Sequence, residues 1–97
     1  MKYILIDGEP VLEPDIYKWG RFMEDDDARR VAKTQIGEVL VSTVFLGIDH
    51  SFGDDKPILF ETMIFGGEHD EYQEQYHTLE EAMIGHERAV ALVKGEK

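Results

Sequence analysis

Residues 39–48 read VLVSTVFLGI, and this stretch decides the fold. Its β-branched and aromatic residues predict a β-strand. Successive side chains of a strand point to opposite faces of the sheet. Apolar side chains would line both faces here: Leu40, Val44, Leu46 and Ile48 on one, Val39, Val41 and Phe45 on the other. Such a strand is typical of the middle of a sheet, where both faces are buried.

The segments on either side of this strand predict its neighbours in the sheet. Residues 30–36 (RVAKTQI) precede it and are separated from it by Gly37-Glu38, which predicts a hairpin with a tight turn. Residues 58–65 (ILFETMIF) follow a loop and predict the next strand, which ends at two glycines. Residues 72–76 predict a last edge strand.

The N-terminal segment predicts a short strand over residues 3–6 (YILI), ended by Asp7-Gly8. Both turn residues tolerate a positive φ, which a tight hairpin turn requires. Val11 and Leu12 form a second extended piece, bracketed by two prolines. Since proline cannot donate to a strand ladder, this piece would lie at an edge.

Residues 15–24 (DIYKWGRFME) favour either a short helix or an aromatic loop packed on the sheet. Ile16, Trp19 and Met23 have helical spacing, and Asp15 suits the N-cap. Gly20 weakens the helix by about 1 kcal/mol relative to alanine. The acidic run over 24–27 that follows repels itself and is expected to be solvated.

The C-terminal segment predicts a helix from about residue 79 to 94. Thr78 and Glu81 have the spacing of a capping box, and apolar residues recur at intervals of three and four. Gly95 is a typical helix stop. The extended runs are too close together for parallel crossovers. The predicted fold is therefore α+β: an antiparallel sheet of four or five strands with this helix, and the short N-terminal helix if it forms, packed on one face.

Length and composition exclude several classes of protein. The 97 residues suffice for a single domain, and the apolar fraction of 42% suffices for a folded core. There is no cysteine, so a disulfide scaffold and a cysteine nucleophile are impossible. The net charge of −11 argues against direct binding to nucleic acid. No apolar run could span a membrane, and the first residues are too short for a signal peptide, so we expect a cytoplasmic protein.

His86 is the titratable group on the apolar stripe of the predicted helix. It could act as a metal ligand or as a base that faces a pocket. The alternative is a structural histidine hydrogen-bonded to the sheet beneath it, which we favour because an apolar environment keeps imidazole neutral.

Asp49 and His50 follow the central strand, and Glu61 on the next strand could lie near them. These oxygen and nitrogen ligands would suit a metal ion. Their spacing matches no known metal motif, and neither a nucleophile elbow nor a phosphate-binding loop is present. We therefore expect no cofactor and no catalytic residue, and a small metal-dependent enzyme that uses these residues with His86 remains the alternative.

Acidic residues are concentrated in the second half of the chain. Residues 49–87 contain eleven acidic residues and one basic residue, Lys56. If the acidic loops and the start of the helix share a side, they would create a strong negative field that attracts a basic partner. The candidate binding residues are Asp54, Asp55, Glu68, Asp70, Glu71, Glu74, Glu80 and Glu81. The competing explanation is that the acidity only keeps a small domain in solution.

Two stretches resemble small uncharacterised proteins of bacteriophages and prophages. The first is 41–52 (VSTVFLGIDHSF) with Pro57 and 59–65 (LFETMIF), and the second is 76–82 (YHTLEEA) with Gly85-His86. The resemblance covers about the last sixty residues and transfers no catalytic residue. It implies a phage context, in which small acidic proteins include inhibitors of host nucleic-acid enzymes, such as anti-CRISPR proteins and DNA mimics. That comparison is one of size and charge.

The first hypothesis is a non-enzymatic protein-binding module of phage type. It would act in the host cell, as a monomer or small homo-oligomer, on a basic and nucleic-acid-handling host protein, with no membrane or direct nucleic-acid contact. A third hypothesis is an oligomeric accessory domain. Its interface would use exposed edge strands and the aromatic residues Tyr17, Trp19 and Phe22.

Overall fold

The computed structural model of the chain describes residues 1–51 and 56–95. Within these residues six strands and three helices follow one another. The elements are β1 (Tyr3–Ile6), β2 (Glu9–Leu12), α1 (Ile16–Glu24), α2 (Asp26–Arg29), β3 (Arg30–Ile36), β4 (Val39–Phe45), β5 (Phe60–Phe65), β6 (Gln73–Tyr76) and α3 (Leu79–Lys94).

The central feature is a four-stranded antiparallel sheet in the order β3-β4-β5-β6, with α3 packed against it. β3 and β4 form a hairpin whose first turn residue, Gly37, has a φ of +59°. A positive φ at that position suits a two-residue turn that follows the twist of the strands. The predicted α+β fold, with the helix on one face of an antiparallel sheet, is confirmed.

β4 is buried on one face and half-exposed on the other. Val41, Thr43 and Phe45 are fully buried in the core, whereas Leu40 and Ser42 are half-buried. The expectation that both faces of this strand are fully buried is therefore wrong. Within the described residues a helical layer covers only one face of the strand, so the apolar side chains of the other face stay partly accessible.

The N-terminal hairpin forms a separate two-stranded sheet of β1 and β2. Its turn residues Asp7 and Gly8 have φ values of +51° and +81°, as predicted for this dipeptide. The hairpin adjoins the chain that follows β4, because the N–H of Tyr3 donates to the carbonyl of Gly47 over 2.8 Å. β4 ends at Phe45, earlier than expected, and Gly47 has a φ of +76°. The sheet is thus divided in two where the sequence predicted one continuous sheet.

Residues 16–24 form a helix, and the alternative of an aromatic loop is excluded. The Asp15 side chain caps the helix by accepting from the N–H groups of the first turn. Trp19 donates its Nε1–H to the carbonyl of Gly47 over 3.0 Å, and Phe22 packs edge-to-face on Phe45 at 5.8 Å. Tyr17 is 79% exposed. The three aromatic residues proposed as an oligomer interface therefore do not share one exposed surface, because two of them anchor the helix.

The acidic run before β3 is structured. Asp25 caps α2 by accepting from the N–H groups of Asp27 and Ala28. Arg30 forms an ion pair with Asp27 at 2.8 Å, and Arg29 approaches Asp26. The Asp26 and Asp27 side chains are 81% and 88% exposed, so the run is solvated as expected, and the arginines offset part of its self-repulsion.

α3 has the predicted boundaries and caps. The Thr78 hydroxyl accepts from the N–H of Glu81, and the Glu81 carboxylate accepts from the N–H of Thr78, which completes the capping box. Gly95 closes the helix with a φ of +74°. This helix covers the core and carries His86, so its position determines the environment of every candidate residue on it.

Candidate protein-binding surface

The candidate acidic residues that the structure describes lie on β6 and at its two ends. Glu68, Asp70 and Glu71 lie in the loop before this strand and form what we call the loop cluster. Glu80 and Glu81 lie in the first turn of α3 and form the helix cluster. All five are exposed, and Glu74 on β6 is half-buried. The remaining two candidates, Asp54 and Asp55, lie outside the described residues.

The two clusters lie at opposite ends of β6, so the acidic residues do not form one continuous patch. The four residues of β6 separate them by about 13 Å at ~3.3 Å per residue. The loop cluster adjoins the C-terminal end of α3, because Glu68 lines a cavity together with Leu92 and Val93. A partner that uses both clusters would have to lie along β6.

Some acidic side chains have structural roles. Asp70 accepts from the N–H of Gly66, and Glu81 accepts from the N–H groups of His77 and Thr78. The backbone hydrogen bond from His77 is the main reason that the pKa of Glu81 is lowered. Three candidate side chains make no hydrogen bond or ion pair within the described residues: Glu68, Glu71 and Glu80.

Between the clusters lies a group formed by Tyr72, Glu74 and Arg88. Arg88 forms an ion pair with Glu74, whose second oxygen accepts from the Tyr72 hydroxyl at 2.9 Å. The hydrogen bond to Glu74 raises the pKa of Arg88. Burial raises the pKa of Tyr72, and its bond to Glu74 adds to that rise. The charge of the Arg88 guanidinium is therefore balanced by the Glu74 carboxylate, and the pair adds little positive field to the acidic surroundings.

A groove runs between β6 and the exposed side of α3. Arg88 lies between its two cavities and lines both. The cavity toward the start of α3 has a volume of about 300 Å³ and is lined by Gln75, Tyr76, His77, Glu81, Ile84 and Arg88. The other has a volume of about 410 Å³ and is lined by Tyr72, Glu74, Arg88, Ala91 and Leu92.

Helix and strand approach closely at Gly85, where a Cβ would collide with the phenol of Tyr76. Tyr76 is 5% exposed, and burial raises the pKa of its hydroxyl. The nearby Thr62 side chain lowers the pKa of Tyr76 and so offsets part of the effect of burial. Within the described residues the Tyr76 hydroxyl makes no hydrogen bond of normal geometry.

His86 lies in the core, between α3 and the sheet, and is 2% exposed. Its Nε2 lies 2.8 Å from the hydroxyl of Thr34, and its Nδ1 lies 2.8 Å from the hydroxyl of Thr43. Thr43 is also hydrogen-bonded to Thr62. Burial lowers the pKa of His86, and Glu87 offsets part of that effect. Both ring nitrogens are therefore occupied within the protein, as the structural interpretation of this histidine predicts.

The structure does not bring the remaining metal candidates together as a ligand set. The Asp49 carboxylate accepts from the N–H groups of Ser51 and Ile58, which lower its pKa. Glu61 instead accepts from the side-chain amides of Gln73 and Gln75. Among residues 1–51 and 56–95, no three histidine, aspartate or glutamate side chains are grouped as metal ligands would be. Asp49 and Glu61 thus stabilise a loop and a sheet surface.

Several residues of this surface were not identified from the sequence. The sequence does not show that Arg88 lies beside Tyr72 and Tyr76. Only the packing of α3 against β6 brings these residues together. The threonines of the His86 network could have been noticed in the sequence. A threonine in an apolar strand is an unusual core residue, and its buried hydroxyl requires a hydrogen-bond partner.

None of the helices in the described part of the chain has the length and apolar character needed to cross a membrane. No protein-family model, curated protein or solved structure matches this chain.

Proposed function

We propose that this chain is a non-catalytic protein-binding domain whose acidic surface around β6 binds a basic partner. The observation that supports this proposal best is the set of exposed carboxylates without structural partners within the described residues: Glu68, Glu71 and Glu80. An acidic side chain that caps a helix or pairs with arginine has a role in folding. These three make no such contact with the described residues, so their carboxylates remain available to a partner.

The charge of the region favours a positively charged partner. Between residues 56 and 87 the chain contains a single basic residue, Lys56, and the next, Arg88, is paired with Glu74. Clustered charges of one sign raise the rate of encounter with an oppositely charged surface and disfavour like-charged ones. A nucleic-acid-handling host protein, in the cytoplasm of a phage-infected cell, has such a basic surface, and this is the partner that we propose.

The test is a pull-down from host lysate at low and high salt, followed by affinity measurement with the partner that is retained. Glu71 and Glu80 are replaced together by glutamine, which preserves side-chain volume and leaves the capping box intact. We expect binding to weaken about two- to thirtyfold, because two exposed ion pairs contribute about 0.2–1 kcal/mol each. The salt dependence should also become shallower.

The matched control replaces Glu24 and Glu38 by glutamine. Both are exposed, lie off β6 and α3, and make no ion pair within the described residues. This variant removes the same two negative charges, so a non-specific effect of net charge would weaken both variants equally. Equal weakening, or no weakening of the Glu71 and Glu80 variant, would contradict the proposed surface.

A second candidate function is an oligomeric accessory domain, which the exposed apolar residues of the N-terminal region favour. These residues lie on β1, β2, α1 and the segment paired with Lys2: Ile6, Val11, Leu12, Ile16, Tyr17 and Ile48. Exposed apolar residues concentrated in one region are typical of interaction surfaces. Light scattering after size exclusion separates the two candidates, since a monomer at all concentrations excludes self-association.

A further inference from the structure

β6 is an edge strand whose outer side is open. The carbonyl oxygens of Tyr72 and Tyr76 accept from the N–H groups of Ile64 and Leu59, so they point toward β5. Backbone groups of an antiparallel strand alternate in direction, so the N–H and C=O groups of Gln73 and Gln75 point away from the sheet. Within the described residues these outer groups have no backbone partner. Such an edge is a template for a further strand.

The other edge of the sheet is less suitable. β3 contains an irregularity in its register between Arg30 and Ala32, and its exposed side chains include Lys33. Irregular register and exposed lysine both disfavour the addition of a strand. β6 has neither, so the two edges of the same sheet differ in how readily they accept an added strand.

The groove beside β6 could receive the side chains of an added strand. An extended segment paired with β6 would direct alternate side chains toward α3, about 7 Å apart. The two cavities lie one after the other along α3, on either side of Arg88. Ile84 in the first cavity, with Ala91 and Leu92 in the second, offers apolar contact.

Charge selects the kind of segment. Glu74, Glu81 and Arg88 line the groove itself. Of the exposed carboxylates, Glu71 adjoins Tyr72 of the second cavity along the chain, and Glu80 adjoins Glu81 of the first. An acidic segment would meet this negative field along its whole length, whereas a basic one would be attracted at both ends.

We propose that β6 and α3 bind an extended basic segment of the partner by strand addition, with alternate apolar side chains in the two cavities. The backbone of Gln73 and Gln75 would hold the segment, and Glu71 and Glu80 would attract its basic residues. This proposal rests on the proposed function and specifies how the acidic surface is used. Binding of this type obtains affinity from the main chain and specificity from alternate side chains.

The probe is a capped hexapeptide of alternating lysine and valine, titrated at low salt. Two isomers carry N-methyl groups, one on every lysine and the other on every valine. Because successive N–H groups of a strand face opposite sides, only one isomer would block the hydrogen bonds to β6. We expect the blocked isomer to bind at least about tenfold more weakly than the parent peptide, and the other isomer to bind as tightly as the parent. Their charge and composition are identical, so electrostatic attraction alone cannot separate them.

The protein side of the test replaces Gln75 by proline, with Gln75→Ala as the matched control. Both changes remove the side-chain amide that contacts Glu61, but only proline removes the outward N–H. We expect Gln75→Pro to weaken parent-peptide binding about tenfold relative to Gln75→Ala. Amide resonances of Gln73 and Gln75 should shift and gain protection from exchange when the parent peptide binds.

The outcomes separate this proposal from the function on which it rests. Salt-dependent binding that is equal for both isomers and for both Gln75 variants overturns strand addition and leaves the acidic surface in place. Absence of binding by the parent peptide at low salt overturns strand addition, and the pull-down with its charge variants then decides the proposed function separately. If Gln75→Pro fails to fold, the two isomers still decide the question on the unmodified protein.

Discussion

Lowering the pH from about 7.5 to about 5.5 is expected to destabilise the fold through one buried side chain, His86. The imidazole is 2% exposed and hydrogen-bonded at both nitrogens to threonine hydroxyls. Burial lowers its pKa below the ordinary value of 6.5, and Glu87 opposes this shift only in part. Between these two pKa values the unfolded chain binds a proton that the folded chain does not.

The sign and size of the effect follow from this difference. Because the unfolded state binds more protons, the free energy of unfolding falls as the pH drops below about 6.5. The slope approaches about 1.4 kcal/mol per pH unit, so the loss at about pH 5.5 is up to about 1.4 kcal/mol. Asp49 and Glu81 have lowered pKa values, and their ordinary values are 3.8 and 4.5. The stability that these carboxylates contribute is therefore lost only at more acidic pH.

The assay is urea unfolding at a series of pH values, followed by the fluorescence of Trp19, the single tryptophan. His86→Gln is the matched variant, because glutamine is polar, of similar size and does not titrate. We expect the wild type to lose stability between about pH 7.5 and 5.5 and the variant to have a flat profile. An NMR titration of the His86 imidazole in the wild type gives the same information if the variant does not fold.

Parallel stability profiles for the wild type and the variant would refute the reasoning. They would show that His86 binds its proton equally well in the folded and unfolded states. An NMR titration of His86 at or above the ordinary pKa of histidine would refute it independently.

Two further predictions concern the packing around the groove and beneath α3. Gly85→Ala should lower the free energy of unfolding by about 1–3 kcal/mol, because the added Cβ would collide with Tyr76. This cost outweighs the gain of about 1 kcal/mol in helix propensity. A higher urea midpoint for this variant would contradict the close approach of strand and helix. Thr43→Val, which conserves volume, should cost about 1–3 kcal/mol, because it leaves the Nδ1 of His86 without its partner. Unfolding curves that coincide with those of the wild type would show that the hydrogen bonds of Thr43 contribute nothing net.

Local signals in the sequence were reliable where the interacting atoms are close along the chain. Thr78 and Glu81 lie within one helical turn, so their capping box depends on no other part of the protein. Asp7 and Gly8 form the tight turn of their hairpin for the same reason. The α+β class followed from these signals together with the spacing of the apolar segments.

The local reasoning was wrong where neighbours in space decide the outcome. β4 is fully buried on one face only, although both faces are apolar. A pattern of apolar side chains shows which faces prefer burial, but not how many layers are present to cover them.

The candidate surface was only partly predictable. The acidic residues are evident in the sequence, and their assignment to a partner remains a proposal. That Glu68, Glu71 and Glu80 lack structural partners within the described residues, whereas Glu74 pairs with Arg88, depends on distances across the fold. The sequence predicted an edge strand over residues 72–76, and the strand order confirms it. Which of its N–H and C=O groups face outward depends on the register with β5, which no local pattern specifies.

The sequence by itself determined the C-terminal helix, most of the strand segments, the turns and caps, and the strongly acidic character of the second half of the chain, because these depend on neighbouring residues or on composition. It left α1 open between a helix and a loop, and it did not predict α2. Tertiary structure alone decided that His86 meets Thr34 and Thr43, that Arg88 meets Glu74, and that a groove lies between β6 and α3. Those contacts join residues from different strands and helices, and they exist only once strand register and helix packing have brought the elements together.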